Sequence, residues 1–213
     1  MPPRGAGIRI TALSCTHGSV RAVADVDLEV EADTRVALVG TNGSGKSTLL
    51  RAVLGLHRDT GGTIAVDGHV ARTGRDWTRR RRECAWIPQR QSPGSFPLLV
   101  RELLDGPGGH PAARDAARDL GVGTLLERPV STLSGGQFQR VHLARIAGSV
   151  ADGARVVLAD EPTAALDFEA RAEARSYLLG LGVTVLVVTH DPDLAAACDR
   201  RLEMAAGSLR EVA

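Results

Sequence analysis

The sequence predicts an α/β chain with a mainly parallel central sheet, an antiparallel β-subdomain near the N-terminus and a short inserted helical subdomain. Three observations carry this expectation. Short β-like runs alternate with helix-like segments, as a parallel sheet with crossover helices requires. The runs RVALVG and ARVVLAD are nearly all apolar rather than alternating, the pattern of strands covered on both faces. From about residue 89 to residue 134 the texture changes to Pro- and Gly-punctuated stretches around Ala-, Arg- and Leu-rich segments, which read as a small helical lobe.

Taken in order, IRITAL and VDLEV supply β-strands, RVALVG a central strand, STLLRAVLGL an apolar-periodic helix and GTIAVDG a further strand. The basic run RTGRDWTRRRR, residues 72–82, reads as a solvated loop before the strand in CAWIPQ; contact with lipid headgroups or a partner is the other reading. LLVRELL, AARDAARDLG and QFQRVHLARIAG are helical, and ARVVLAD and VTVLVVTH are buried strands. The 213 residues are expected to form a single domain, its core built from about residues 1–88 and 150–213 and its helical subdomain from 89–149.

Composition narrows the partners. Lys and Arg number 26 against 25 Asp and Glu, so no global field would hold the chain on nucleic acid or an anionic membrane, and no nucleic-acid partner is expected. The longest uninterrupted aliphatic run lies within VTVLVVTH and is too short to span a bilayer, and MPPRGAGIRI lacks a signal-peptide core. Cys15, Cys84 and Cys198 are odd in number and in no metal-ligand spacing, as suits reduced thiols. A cytoplasmic protein is expected.

Only one of the basic residues other than histidine is a lysine, and it stands in GTNGSGKST, residues 40–48. Gly40, Gly45, Lys46 and Ser47 match G-x-x-x-x-G-K-[ST] between a strand and a helix. Glycines let successive backbone N–H groups of Gly40, Thr41, Asn42, Gly43, Ser44, Gly45, Lys46, Ser47 and Thr48 turn inward around a phosphate, and the helix N-terminus adds partial positive charge. Lys46 brings a compact ammonium to the β- and γ-phosphates, where arginine's wide planar fork would displace the loop. Ser47 can place its hydroxyl on Mg²⁺. No N-K-x-D guanine-reading element exists, so ATP is favoured over GTP.

Two further stretches converge on the same chemistry. VVLADEPT is a buried strand ending in Asp160 and Glu161, which places both carboxylates at the carboxyl edge of a parallel sheet. Asp160 suits Mg²⁺ held through water, and Glu161 suits a general base for an attacking water. In LSGGQFQR, Ser134 is a helix N-cap, and the N–H groups of Gly135 and Gly136 open a second anion-binding helix start. A chain with two such starts needs two ligands or two copies.

The order of GTNGSGKST, IPQ, LSGGQ, VVLADEPTAALD and VTHD resembles that of ATP-binding cassette proteins over about residues 8–206. The resemblance implies a P-loop nucleotide-binding domain acting as a head-to-tail homodimer, or paired with a paralogous ATPase. Two ATP molecules would lie between the phosphate loop of one copy and the LSGGQ stretch, including Gln137, of the other. It further implies that Gln89 contacts Mg²⁺ or water and links the lobe to the core. Asp167 would lie across the dimer interface, and His190 would contact the γ-phosphate and position water beside Glu161. The place of the adenine-stacking aromatic falls on His17, whose smaller ring predicts weaker ATP affinity than tyrosine would give. The segment QRQSPGSFPLLVRELL is similar to that of metal-ion and iron-chelate importer ATPases, although the run from residue 104 to residue 133 is short by a helix.

The function these features predict is a Mg²⁺-dependent ATPase powering solute transport through integral membrane permease subunits, peripheral to the inner face of the cell membrane. The alternative is a soluble cassette ATPase without a membrane partner; those families commonly fuse two cassettes or insert long arms. A nucleotide-gated module without hydrolysis is disfavoured by intact Glu161 and His190.

Overall fold

The computed structural model describes residues 5–57, 60–89, 97–106 and 110–212. Ten strands and seven helices follow in the order β1 (Ile8–His17), β2 (Val20–Val30), β3 (Arg35–Val39), α1 (Lys46–Val53), β4 (Thr60–Val66), β5 (His69–Val70), α2 (Gly74–Glu83), β6 (Cys84–Ile87), α3 (Val100–Leu104), α4 (Pro111–Asp119), α5 (Gly135–Ala151), β7 (Val156–Asp160), α6 (Phe168–Leu179), β8 (Thr184–Val188), α7 (Pro192–Ala196), β9 (Arg200–Ala205) and β10 (Ser208–Val212). Two single-turn 3₁₀ segments, Gly123–Leu125 and Val130–Thr132, connect α4 to α5.

The strands form two sheets. An antiparallel sheet runs β2-β1-β4-β5, and a six-stranded sheet runs β10-β9-β3-β8-β7-β6, parallel throughout except for the closing β9-β10 hairpin. The apolar strands sort their side chains by parity. Ala37, Val157, Ala159, Val185 and Val187 enter a core shared with α3–α7, while Val36, Leu38, Val156, Leu158, Leu186 and Val188 enter a second core shared with α1 and the antiparallel sheet. Burial on both faces explains why β7 and β8 read as continuous apolar runs. The parallel strands end together at one edge, and there β3 runs into the phosphate loop, β7 into Asp160 and Glu161, and β8 into His190.

The basic run expected as a solvated loop is instead α2. Thr73 and Asp76 form a capping box: Thr73 Oγ1 accepts from Asp76 N at 3.3 Å and Asp76 Oδ2 accepts from Thr73 N at 2.8 Å. Arg80 turns inward from this helix and is 2% exposed. Its guanidinium donates to the carbonyls of Val53 at 3.0 Å, Ile64 at 3.1 Å and His69 at 2.8 Å, and lies 5.8 Å from the centre of the Trp77 ring. The helix therefore pins the end of α1 to the antiparallel sheet.

In the helical region, α4 packs along α5, with Ala113, Ala116 and Ala117 buried. Much of the Pro- and Gly-rich segment behind the importer resemblance, residues 90–96, and residues 107–109 lie outside the described residues.

Candidate functional site

The phosphate loop begins where β3 stops. A Cβ on Gly45, whose φ is 108°, would overlap the carbonyl oxygen of Ala22, so only glycine lets β2 and the loop approach this closely. The first turn of α1 has no side-chain cap, leaving its N–H groups directed toward the loop. Lys46 is 6% exposed, and its Nζ donates to Gly40 O and Thr41 O, each at 2.7 Å, and to Ser44 Oγ at 3.4 Å. Burial lowers its pKa, while the charges of Glu161 and Asp160 act in the opposite sense. A cation largely withdrawn from solvent and held by carbonyl and hydroxyl dipoles is poised to gain from a polyanion.

Asp160 ends β7 at 1% exposure, with both carboxylate oxygens buried and without a hydrogen-bond partner. Burial raises its pKa, opposed by the neighbouring hydroxyl of Ser47 and the charges of Arg51 and Lys46. An orphaned hard oxygen pair beside a hydroxyl fits a magnesium ion. No group of three or more His, Cys, Asp or Glu among the described residues could enclose a metal by itself, so phosphate oxygens and water would complete the coordination.

Glu161 follows in the left-handed region with φ 53°, an uncommon conformation for a residue with a side chain. Its backbone N–H donates to Val188 O at 2.9 Å, and its carbonyl accepts from Gln139 Nε2 at 3.4 Å, so β8 and α5 both hold this turn. Oε2 accepts from the backbone N–H of His190 at 3.2 Å, and His190 Nε2 lies 3.5 Å from Oε1. That same Nε2 is 3.2 Å from Asn42 Oδ1, which joins the phosphate loop, the imidazole and the carboxylate in one chain of contacts. Burial raises the Glu161 pKa, the largest of several influences, with His190 opposing.

These groups open on one cavity of about 670 Å³, which also contains Ser47, Thr48, Gln89 and His17. Gln89 lies just beyond β6 and lines this cavity. His17 closes β1, with Nε2 3.4 Å from Thr48 Oγ1.

The remaining predicted residues are gathered elsewhere. Ser134, Gly135, Gly136, Gln137 and Asp167 line a second cavity of about 420 Å³, together with Arg140. Ser134 caps α5, its hydroxyl accepting from Gln137 N at 3.3 Å while Gln137 Oε1 accepts from Ser134 N at 3.0 Å. Asp167 caps α6 by accepting from Ala170 N at 2.9 Å. Each chain thus presents two separate helix starts, those of α1 and α5, in different cavities.

Two buried groups escaped the sequence reading. Gln139 is 3% exposed, and its position two residues after Gln137 was the available signal. His142 is 1% exposed, has neither ring nitrogen paired and has its pKa pushed down to about 3 by burial. It borders a cavity of about 1020 Å³ between α2, β6 and α5, with Trp86, Arg81, Arg82 and Arg145.

A family model described as ABC transporter matches residues 23–164. The chain is 38% identical over 208 residues to the macrolide export ATP-binding/permease protein MacB 1/2 of Paracoccus denitrificans, covering 91% of this chain but only 30% of that protein. It is 35% identical over 220 residues to the hemin import ATP-binding protein HmuV of Rhodopseudomonas palustris, covering 95% of this chain and 81% of that one. The solved cassette MJ0796, in a dimeric post-hydrolysis state bound to ADP and Pi, superposes with a TM-score of 0.80 at 27% identity, covering 96% of this chain and 97% of that one.

Proposed function

The chain belongs to the ABC transporter family of ATPases, and from that premise we propose that it drives a membrane permease component by closing two copies head to tail on ATP and Mg²⁺. The carrying observation is the division of its phosphate-binding groups. Lys46, Asp160, Glu161 and His190 share one cavity, while Ser134, Gly135 and Gly136 open on another. Facing copies bring one cavity of each kind onto the same nucleotide, so a single chain holds half of each site.

In this reading the loop from Gly40 to Thr48 and Lys46 bind the triphosphate, and His17 stacks on adenine. Ser47, Asp160 and Gln89 would hold Mg²⁺, which when bound would supply positive charge against the phosphates. Glu161 takes a proton from water as the water oxygen attacks the γ-phosphorus and the bond to the bridging oxygen of ADP breaks. His190, tethered between Asn42 and Glu161, positions that water. From the other copy, Ser134, Gly135 and Gly136, with Gln137 fixing the helix start, meet the γ-phosphate, and Asp167 lies beside the partner's phosphate loop. Charge stabilisation by donors already in place supplies most of the acceleration.

No helix among the described residues is long and apolar enough to cross a membrane, and in this reading the spanning path is supplied by the permease component, with this domain at the inner membrane face. The large cavity beside Trp86 and Arg145 suits the partner's coupling helix, being walled by apolar groups and bordered by Arg81 and Arg82.

The test is Mg²⁺-dependent ATP hydrolysis across a range of protein concentrations, with Glu161→Gln as control. Activity per chain should rise with concentration, and the variant should bind ATP, cease hydrolysis and form a dimer visible by light scattering. A hydrolysing monomer, or a variant that stays monomeric at saturating ATP, overturns the reading.

A further inference from the structure

The end of α1 opposite the phosphate loop leads back to the base side of the same cavity. The helix closes in a Schellman turn: Gly55 N–H donates to Ala52 O at 3.0 Å and Leu56 N–H to Arg51 O at 2.9 Å, with Gly55 at φ 70°. The Trp77 ring fills the place a Cβ on Gly55 would occupy, so α2 braces this exit. The turn delivers His57 against the end of β1. There His57 Nε2 lies 2.9 Å from Thr16 O; a carbonyl only accepts, so this nitrogen carries the hydrogen. The His57 ring meets that of His17 edge to face, with centroids 4.5 Å apart and planes at 78°.

We propose that His57 is a positioning residue for the nucleotide base: it holds the His17 ring at the angle from which that ring stacks on adenine. The inference rests on the assignment of His17 above. His17 is exposed, and an imidazole presents little area, so its stacking depends on being held in orientation before the base arrives. The edge of His57 supplies this on one side, and Thr48 Oγ1, 3.4 Å from His17 Nε2, on the other. Because His57 and Thr48 both belong to the α1 segment, one rigid piece sets where the phosphates and the base lie relative to each other.

The test compares ATP with inorganic tripolyphosphate, which lacks a base, in steady-state hydrolysis by the full chain. His57→Ala should raise KM for ATP by about three- to tenfold, change kcat far less, and leave inhibition by tripolyphosphate as in the parent. His57→Phe keeps a ring edge and should recover at least half of the loss. An unchanged KM, a parallel weakening of tripolyphosphate inhibition, or a Phe variant no better than Ala overturns the inference. His17→Ala separates the two claims. If it raises KM while His57→Ala does not, only the positioning role falls; if it too leaves KM unchanged, the stacking assignment falls with it.

Discussion

Glu161 is a residue whose environment works against its own ionisation. It sits in the left-handed region at 5% exposure, and burial is the largest influence raising its pKa above 4.5. As a general base it must be charged, so activity is full above the raised pKa and falls as pH drops through it. The kcat profile for ATP should therefore have an acid limb above pH 4.5, absent from binding of ATP to Glu161→Gln; a plateau unbroken down to 4.5 would contradict the assignment. The position of this residue at the carboxyl edge of the sheet was legible through the company of GTNGSGKST and LSGGQ, since a strand ending in Asp-Glu is by itself more often followed by a solvated loop. Lys46 was legible because arginine fills the other such basic positions. The tether from Asn42 through His190 was not, since its three members come from separate strand ends and only folding brings them within hydrogen-bond distance.

At the scale of the element, α2 shows how a charge pattern misleads. Four consecutive arginines offer no apolar face, so the pattern predicts a solvated loop; yet the Thr73 to Asp76 spacing is a capping box, and one arginine of the run points into the protein. Arg80 donates to three carbonyls from a buried position, so Arg80→Met should remove all three bonds at once and cost about 3 kcal/mol. For a chain of this size that corresponds to a Tm lower by about 6–12 °C in thermal unfolding, and a negligible change would mean that water replaces the guanidinium. The parallel strands were easier to read, because burial on both faces leaves a continuous apolar run, whereas the inward arginine is visible only once α1 and the antiparallel sheet are in place.

For the whole molecule, the two cavities make a prediction about mixtures. Lys46→Ala removes the ammonium from one cavity. Gly136→Asp adds a carboxylate to the other, at a helix start that tolerates negative charge and where a Cβ comes within 3.3 Å of Ala165 O. Each variant alone should be inactive, but a heterodimer of the two contains one intact site and one doubly damaged site. An equal mixture should regain up to about a quarter of parent activity; no recovery at concentrations that sustain parent activity would argue against head-to-tail pairing. Phe168, 82% exposed beside Asp167, offers apolar area to such a pairing. The two-layer architecture was legible from alternation and motif order, but the partition of site residues between cavities was inferred only through resemblance, since spacing along a chain does not say which helix starts face each other. One backbone connection has a bearing on how the molecule is made. Gly207, in the turn after β9, donates its N–H to Ser44 O at 3.1 Å and accepts the N–H of Ala24 at 2.9 Å, fastening the phosphate loop to β2. The ribosome makes the loop first and this fastener more than a hundred residues later, so the nucleotide pocket lacks this brace until the turn after β9 has been made.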